Sequence, residues 1–378
     1  MKIAFVTIGD TRDVQRGSGT PYHLWQELIK QGNVVHLVGP LNVNAPPLTR
    51  FFKYASRKLG KRYSSHRDPF FGKALGKMAE RALANLDYDI LLTNDYCLAG
   101  YTQTSKPIVL YTDAFFPYHY AENVHPWLAN LSRIGVYFYQ RTTEQGLRRA
   151  DKCIFASQYA MEEAQKYPAA KNKVFSVIPY GANIDAPAAA PKRSIESIRA
   201  KGKFDLLFVG KYWELKGGPM AVRIAEMLNK RGVASDLHVV GVDQSAQYPQ
   251  KFVKFYGLLN KQIPAEKAKL EELYKTCDAL IVPSKAEGYG LVFAEAAACG
   301  MPSLAYATTG VTTAVQHGGS GILFDPQEDE KTFARQVEEW LDNSEEYENL
   351  CRGAREFYET SANWKSAVKK LTAEMEKI

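Results

Sequence analysis

Short apolar runs alternate along the chain with longer segments whose apolar residues recur at helical spacing. Residues 2–8 form the first apolar run, and residues 20–30 place Tyr22, Trp25 and Leu28 on one face of a predicted helix. A glycine ends that helix, and another apolar run follows it. The same alternation predicts further elements at residues 34–38, 73–86, 90–93, 108–111, 133–149 and 152–156.

The alternation stops at residues 186–203 and then begins again. That stretch combines alanine, proline and charged residues, which predicts a linker. Beyond it, the pattern predicts strands at residues 205–209, 237–240, 252–255, 279–282 and 303–306 and helices at residues 217–231, 265–275 and 291–299. Residues 329–360 are predicted to be helical, and residues 361–378 form a final amphipathic helix.

These elements predict an α/β fold made of two doubly wound domains. Strands that alternate with helices pair in parallel, because each parallel crossover needs a helix-sized connection. We expect one domain at residues 1–185, the linker at 186–203 and a second domain at 204–360, followed by the helix at 361–378. Ligands of such folds bind at the carboxyl ends of the strands, so we expect a cleft between the domains.

The net charge becomes informative once it is located along the chain. The chain has 378 residues, of which 46% are hydrophobic and 24% charged, as in ordinary globular proteins. The formal net charge is +7, but residues 48–78 alone hold nine basic residues and one acid, a local net charge of +8. The rest of the chain therefore sums to −1. This excludes a uniformly basic nucleic-acid surface and leaves a local patch that attracts anions.

The five cysteines are scattered, odd in number and without metal-binding spacing. They predict neither a disulfide framework nor a zinc site, and they fit a reducing compartment. The chain enters its first apolar run without a secretion leader, and no apolar run approaches the roughly 18–20 residues that span a bilayer. We therefore expect a cytoplasmic protein.

Residues 287–295 carry the strongest candidate chemistry. Glu287 and Glu295 bracket Gly288 and Gly290 where a strand is predicted to end and a helix to begin. The glycines let backbone N–H groups approach a ligand, and a helix N-terminus favours an anion. Two carboxylates accept paired hydroxyls well, so the segment predicts a polyol bound at two places. The alternative is a surface turn followed by an exposed helical glutamate.

A second candidate is the loop between the predicted strand at 205–209 and the helix at 217–231. It contains Lys211 and Lys216, and two glycines precede the body of the helix. Two ammonium groups near a helix N-terminus predict a diphosphate site, because their charge and the helix dipole act together. The residue order is not that of a Walker loop. The alternative is a pair of solvated lysines.

A third candidate is the glycine turn at residues 16–20, after the first predicted strand. It holds only part of a dinucleotide-binding fingerprint, and no acid ends the next strand, which disfavours a nicotinamide cofactor. A turn that faces a phosphate or a sugar and a plain tight turn remain the two alternatives.

In order and spacing, these segments resemble the retaining glycosyltransferases of family 4, which have the GT-B fold. The resemblance covers nearly the whole chain and rests on Ser157 and on residues 177–185, 209–217, 255–257, 274–284, 287–302 and 318–324. It implies two Rossmann-like domains that face a central cleft, the first binding the acceptor and the second binding a nucleotide-sugar donor. The last helix would return to the N-terminal domain.

The resemblance also implies roles for single residues. Lys216 matches the lysine that binds the donor diphosphate, and Lys211 stands where the family usually has arginine, with loss of bidentate geometry. Glu287 matches the acid near the transferred hexose, and Glu295 matches the acid that binds the ribose hydroxyls. The other donor-binding candidates are Gly19, Gly210, Gly257, Gly288, Tyr289 and Gly290. A UDP- or GDP-linked hexose would be the co-substrate, without a cofactor or a metal ion.

Two departures from the family pattern concern the transferred sugar. Where many members carry a histidine after the strand at 108–111, this chain has Asp113, and His119 is a nearby substitute. A carboxylate there would accept a hexose hydroxyl or stabilise positive charge on the sugar ring, and the alternative is a helix cap. The loop that begins at Thr309 lacks the acid usually found after its glycine.

The basic stretch at residues 48–78 interleaves its cations with six aromatic residues. It predicts docking to an anionic membrane surface or to a phosphorylated, lipid-linked acceptor. The acceptor-side candidates, besides His119, are Arg57, Lys58, Lys61 and Arg62. The alternative is a solvated helical face whose aromatic residues lie in the core.

The sequence therefore predicts a retaining, metal-independent hexosyltransferase of glucose or mannose type that acts on a glycan, lipid-linked or small-molecule acceptor. Such an enzyme would be cytoplasmic, either free or in peripheral contact with the inner membrane face. A sugar-nucleotide epimerase or hydrolase on the same fold is the enzymatic alternative. A non-catalytic protein that binds nucleotide sugars is the alternative of a different class, because Lys211 and Asp113 replace the usual residues.

Overall fold

The structure is a computed structural model that describes residues 1–113, 116 and 128–378. Their contacts divide the chain into two compact units. The first unit comprises Met1–Ile178 together with Val368–Ile378, and the second comprises Pro179–Ala367. His119 lies outside the described residues.

The first unit is built on a six-stranded parallel sheet in the order β2-β1-β3-β4-β5-β6. Its strands are β1 (Lys2–Val6), β2 (Val34–Val38), β3 (Ile90–Thr93), β4 (Ile108–Thr112), β5 (Lys152–Phe155) and β6 (Phe175–Val177). Its helices in this part of the chain are α1 (Thr20–Lys30), α2 (Pro47–Lys58), α3 (Pro69–Leu83), α4 (Tyr96–Tyr101), α5 (Arg133–Arg149) and α6 (Gln158–Gln165). The central strands β3 and β4 are buried throughout, as expected of parallel strands whose two faces are covered by helices.

Four helices of this unit begin at a side chain that accepts a hydrogen bond from a backbone N–H group of the first turn. These residues are Asp68 for α3, Asp95 for α4, Ser132 for α5 and Ser157 for α6. Such caps satisfy donors that the helix itself leaves unpaired. They fix where each helix begins relative to the strand or loop before it.

The second unit has its own six-stranded parallel sheet, in the order β12-β11-β10-β7-β8-β9. Its strands are β7 (Phe204–Val209), β8 (Ser235–Val240), β9 (Val253–Phe255), β10 (Ala279–Ile281), β11 (Ser303–Tyr306) and β12 (Gly321–Phe324). Its helices are α7 (Ile195–Lys201), α8 (Gly218–Lys230), α9 (Pro264–Thr276), α10 (Leu291–Ala298), α11 (Val311–Ala314), α12 (Glu330–Asp342) and α13 (Ser344–Thr360). The last helix, α14 (Trp364–Met375), begins in this unit and continues into the residues assigned to the first.

Two parallel, helix-covered sheets confirm the predicted α/β fold class. In each sheet, the strands are added outward in opposite directions from one point. This switch point lies between β1 and β3 in the first unit and between β7 and β10 in the second. Two crossovers diverge at such a point and leave a crevice at the carboxyl ends of the strands, where doubly wound folds bind ligands. The second unit has the six-strand dinucleotide-fold order, whereas the order of the first is like that of flavodoxin.

Residues 186–203, predicted as a linker, lie within the second unit and are held there by hydrogen bonds of Arg193 and Arg355. The guanidinium of Arg193 donates to the backbone carbonyls of Tyr274, Cys277 and Cys299, which lie at the ends of α9 and α10. Arg355 donates both to the carbonyl of Pro187 in this segment and to the carbonyl of Ala298 at the end of α10. The predicted linker is therefore an anchored segment that ends in α7, because its hydrogen bonds connect it to residues distant in sequence.

The end of α14 is fastened to the first unit by a carboxylate. Glu374 forms an ion pair with Lys152 of β5 and accepts a hydrogen bond from the Ser176 hydroxyl at 3.0 Å. Hydrogen bonds from Lys152 and Lys377 lower the pKa of Glu374 to about 2 from its ordinary 4.5. In the described part of the chain, no helix has both the length and the apolar character required to cross a bilayer.

The Glu374 contacts predict a pH-dependent contribution to stability. A carboxyl group whose pKa is lowered on folding stabilises the native state above its unfolded pKa, and that contribution is lost as the pH falls toward the folded value. We expect Glu374→Gln to lower the melting temperature at pH 7 and the difference from wild type to shrink between pH 5 and pH 3. Glu376→Gln, on the exposed face of the same helical end, is the matched control. A difference that stays constant over this pH range would contradict the assignment.

Candidate functional site

The loops that follow β7 and β10 meet at the switch point of the second sheet. The backbone N–H of Lys285 donates to the carbonyl of Leu215 at 2.9 Å, which joins the two loops. Gly217, with a φ of 78°, precedes α8, and a Cβ built on it would lie 2.1 Å from the carbonyl oxygen of Pro283. Glycine is required here because the backbone is left-handed and the two loops approach so closely.

This contact brings Lys216 and Glu287 together. The Lys216 ammonium lies 2.5 Å from Oε2 of Glu287, and the hydroxyl of Ser284 donates to Oε1 at 2.8 Å. The Glu287 side chain is 7% exposed and that of Lys216 is 20% exposed, so the pair is largely removed from water but still reachable. The sequence indicated both residues separately, but neither their ion pair nor the role of Ser284.

The backbone of Glu287 is held by the loop after β11. Its N–H donates to the Thr309 hydroxyl at 2.7 Å, and its carbonyl accepts from the N–H of Gly310 at 3.1 Å. A Cβ built on Gly310 would lie 2.2 Å from the carbonyl oxygen of Gly288. The loop that lacks the expected acid therefore positions Glu287 through backbone and hydroxyl groups.

The turn from Gly288 to Gly290 leads directly into α10. Gly290 has a φ of 97°, and a Cβ built on it would lie 2.6 Å from the Phe293 ring. Tyr289 between the two glycines is fully buried, and its ring lies against Tyr180, with the centroids 5.9 Å apart. The tyrosine thus anchors the turn in the core, and the N-terminal amides of α10 follow it at the carboxyl end of β10.

Glu295, in the second turn of α10, is 3% exposed and has two donors. The Lys261 ammonium lies 2.6 Å from Oε1, and the Tyr274 hydroxyl donates to Oε2 at 2.7 Å. Burial, and then the neighbouring carboxylate, raise the pKa of Tyr274 well above its ordinary value, so the phenol stays protonated and donates. The sequence motifs indicated neither partner of Glu295.

The other predicted residues of the second unit frame this region. Lys211 is exposed in the loop after β7. A Cβ on Gly210 would lie 2.9 Å from Cγ of Lys216, so the absence of a side chain at Gly210 leaves room for the lysine stem. Gly257 has a φ of 65°, and its carbonyl accepts from the N–H of Gly241 at 2.7 Å.

In the first unit, Gly19 and Asp113 both follow strand ends. Gly19 is buried, has a φ of 91° and immediately precedes α1, in the connection after β1. Gly17 and Ser18 before it are also left-handed, so three consecutive residues adopt this conformation. Asp113 directly follows β4 and is half-buried. Their predicted contacts with a donor remain predictions.

The basic stretch of the first unit divides its aromatic residues between two environments. Phe52 of α2 packs against Phe70 of α3 and Phe138 of α5, with ring centroids 6.1 and 5.2 Å away. Phe51 and Tyr54 are each 60% exposed on the other side of α2. The four acceptor-side candidates of this stretch are also exposed: Arg57, Lys58, Lys61 and Arg62. Neither alternative of the sequence analysis describes the whole stretch.

A cluster that could hold a metal ion lies elsewhere in the second unit. Among the described residues, the side chains of Asp205, Asp236 and His238 have ligand atoms within 4.8 Å of one another. They lie on β7 and β8, and lysine ammonium groups already donate to both carboxylates: Lys201, Lys203 and Lys254. We interpret this cluster as an ion-pair network that joins the strands.

Two family models match the chain. Residues 192–357 match the model described as Glycosyl transferases group 1, and residues 20–186 match Glycosyltransferase Family 4. These two ranges correspond closely to the second unit and to the first unit.

Among curated proteins, the chain is similar to several named D-inositol 3-phosphate glycosyltransferase. The protein of Nocardiopsis dassonvillei is 28% identical over 48% of this chain and 46% of the relative. That of Thermobispora bispora is 31% identical over 52% of this chain and 48% of the relative. The chain thus matches about half the length of these curated relatives.

Solved structures share the fold over the full chain. Sucrose-phosphate synthase from Thermosynechococcus elongatus has a TM-score of 0.70 at 19% identity, covering 100% of this chain and 98% of the other. Anabaena HepE, solved in complex with UDP-glucose, has a TM-score of 0.65 at 16% identity and covers 100% of both chains. Both likenesses concern the fold, which is that of the GT-B glycosyltransferases.

The contact between the two loops predicts the effect of a methyl group at Gly217. Gly217 and Gly232 flank α8 and have similar φ values, 78° and 89°, but a Cβ on Gly232 meets no atom within 4 Å. Gly232→Ala should lower the free energy of unfolding by about 1 kcal/mol, the cost of a left-handed alanine. Gly217→Ala should cost at least about 2 kcal/mol more, because the loops must also separate. Equal urea midpoints for the two variants would contradict this.

Proposed function

The chain belongs to the family 4, group 1 glycosyltransferases, and on this basis we propose that it transfers a hexose from a nucleotide diphosphate sugar with retention of configuration. The observation that carries the proposal is the meeting of Lys216 and Glu287 at the switch point between β7 and β10. A cation and an acid lie side by side there, next to the N-terminus of α10. Such a site suits a ligand with an anionic end and a hydroxyl-rich end.

The anionic end of the donor would lie at Lys216. As the bond between the sugar C1 and the diphosphate breaks, negative charge grows on the departing phosphate oxygen, and fixed positive charge stabilises it. Lys216, the exposed Lys211 and the N-terminal amides of α10 supply that charge. No metal ion is required in this arrangement.

The hydroxyl-rich end of the donor would lie at the two acids. Glu287 is kept in place by Ser284 and Thr309, so it offers a fixed acceptor to hexose hydroxyls. Glu295 would accept from the ribose. The acceptor hydroxyl forms the new bond to C1 on the face that the diphosphate leaves, and its proton passes to the departing phosphate oxygen.

Relatives suggest the first compounds to assay. Anabaena HepE was solved with UDP-glucose, so we propose a UDP-linked hexose as the first donor, with GDP-linked hexoses beside it. Curated relatives are named D-inositol 3-phosphate glycosyltransferases, so a phosphorylated polyol is the first acceptor. Glycan and lipid-linked acceptors complete the panel.

We further propose that α2 docks the enzyme on an anionic membrane surface. The helix is fixed from within by the Phe52 ring cluster and by a hydrogen bond of 2.7 Å between the hydroxyls of Ser56 and Ser132. Outward it presents four large apolar side chains that are 49–76% exposed: Leu48, Phe51, Tyr54 and, just after the helix, Leu59. Exposed cations lie among them, and α2 contains no acidic residue. Apolar side chains beside cations suit an anionic lipid interface.

The donor site predicts a large loss of activity in Lys216→Ala. Removal of one group that stabilises developing charge typically lowers kcat by about a hundredfold or more. The measurement is kcat/KM for the release of UDP or GDP in the presence of acceptor. Lys230→Ala, at an exposed lysine that ends α8, the helix that follows Lys216, is the control and should keep wild-type turnover.

Three outcomes separate the alternatives. Near-native turnover in Lys216→Ala would contradict the assignment of the diphosphate site. Tight binding of nucleotide sugars by the wild type without transfer or hydrolysis would favour the non-catalytic binding protein. Release of nucleotide or conversion of the sugar without any acceptor would favour the hydrolase or epimerase.

The membrane proposal predicts binding to vesicles that contain phosphatidylserine and little binding to neutral phosphatidylcholine vesicles. Arg57→Gln/Lys58→Gln should weaken co-sedimentation by about 2 kcal/mol, because each cation near such a surface contributes about 1 kcal/mol. Phe51→Ser/Tyr54→Ser should weaken co-sedimentation even at low salt, where the attraction of the cations to the vesicles is strongest. Val174→Ser, at an apolar residue of the same unit that is 78% exposed, is the control. If the wild-type protein does not bind anionic vesicles at low salt, the proposal is refuted.

A further inference from the structure

The two donors on Glu295 point to a residue of the donor site that the motifs do not contain. Lys261 lies in the loop between β9 and α9, 34 residues from Glu295, and its ammonium reaches Oε1 of the carboxylate. Tyr274 of α9 reaches Oε2. Every contact of this triad is formed within the second unit.

The two partners of Glu295 differ in how far their side chains can move. Tyr274 is 0% exposed and part of a helix, so its hydroxyl is fixed. The Lys261 side chain is 21% exposed and extends from a loop on a flexible four-carbon stem. The ammonium also donates to the carbonyl of Asn183 at 3.0 Å, which ties it to a second fixed point. Lys261 therefore lies at the accessible end of the triad, with a restrained ammonium.

A carboxylate removed from water needs compensation. A buried charge without a hydrogen-bonded partner of opposite charge is strongly unfavourable. Tyr274 supplies a hydrogen bond but no charge, so the ammonium of Lys261 is the group that balances Glu295. Without it, the carboxylate would lose both its counter-charge and the contact that fixes the orientation of Oε1.

The orientation matters because each carboxylate oxygen has two acceptor positions. In this triad one position on each oxygen is occupied, by Tyr274 on Oε2 and by Lys261 on Oε1. One position on each oxygen is left for a ligand. A vicinal diol carries two adjacent O–H donors, so it matches the two positions that are left.

We propose that Lys261 is a positioning residue that, with Tyr274, holds the Glu295 carboxylate oriented to receive the paired hydroxyls of the donor ribose. This inference rests on the proposed function, because it assumes a nucleotide donor. It concerns the selectivity for ribose over deoxyribose and not the chemistry at the hexose. Lys261 acts through Glu295 and does not contact the diphosphate.

The test compares UDP with 2′-deoxy-UDP, and GDP with 2′-deoxy-GDP, by calorimetric titration of the full chain. The wild type should prefer the ribonucleotide by about tenfold or more, since a hydrogen bond to a charged group is lost in the deoxy analogue. Lys261→Met should bind the ribonucleotide about tenfold more weakly and lose most of this preference. In turnover, KM for the donor should rise while kcat changes little.

Three further variants separate positioning from folding defects. Lys261→Arg keeps the charge and should restore most of the preference. Tyr274→Phe removes the second donor and should also reduce the preference. Lys267→Gln, at a lysine of α9 paired with Asp185, is the matched control and should behave as wild type. Melting curves of all variants establish that they are folded.

The outcomes distinguish this inference from the function on which it rests. If the wild type binds neither UDP nor GDP, the proposed function fails and the inference fails with it. If the wild type binds and transfers but Lys261→Met keeps the full preference for the ribonucleotide, only the inference is overturned. If Lys261→Met loses affinity equally for both analogues, the lysine acts directly on the diphosphate and the positioning role is refuted.

Discussion

Two carboxylates withdrawn from water constrain the second unit more than any other feature. Glu287 is 7% and Glu295 is 3% exposed, and each forms an ion pair with a lysine from another segment of the chain. A buried acid without such a partner would destabilise the fold, so the loops that carry the lysines must be placed accurately. The glycine contact at Gly217, the hydroxyl of Thr309 and the buried phenol of Tyr274 all serve that placement.

The strands and most of the long helices could be predicted from the sequence because their patterns are local. A short apolar run indicates a buried strand, and apolar residues at helical spacing indicate a helix with one buried face. Both patterns can be recognised without knowing the rest of the chain. The helix α2 was not assigned, although its stretch was singled out for its charge. On its inner face, Phe52 packs against rings of α3 and α5, and Ser56 bonds to the residue that caps α5. These partners are distant in sequence, so no local pattern predicts them.

The candidate site was predictable only as far as its motifs extend. Glycines and acids at fixed spacing identified Glu287 and Glu295, and the strand–loop–helix pattern identified Lys216. Their partners could not be found this way, because Lys261 lies 34 residues from Glu295 and Lys216 lies 71 from Glu287. No periodicity connects residues so far apart. The prediction of a linker at 186–203 relied on composition, and composition does not reveal the long-range hydrogen bonds of Arg193.

The division of the chain into units has a consequence for its synthesis. The second unit is one continuous stretch, Pro179–Ala367, whereas the first needs Val368–Ile378 in addition to Met1–Ile178. A chain that leaves the ribosome from its N-terminus therefore exposes most of the first sheet early but delivers the segment with Glu374 only after the whole second unit. Domains usually fold as units during translation, so the second unit can be complete before the first is closed. The unit whose synthesis begins first is thus the one that can be completed only after the other has been made.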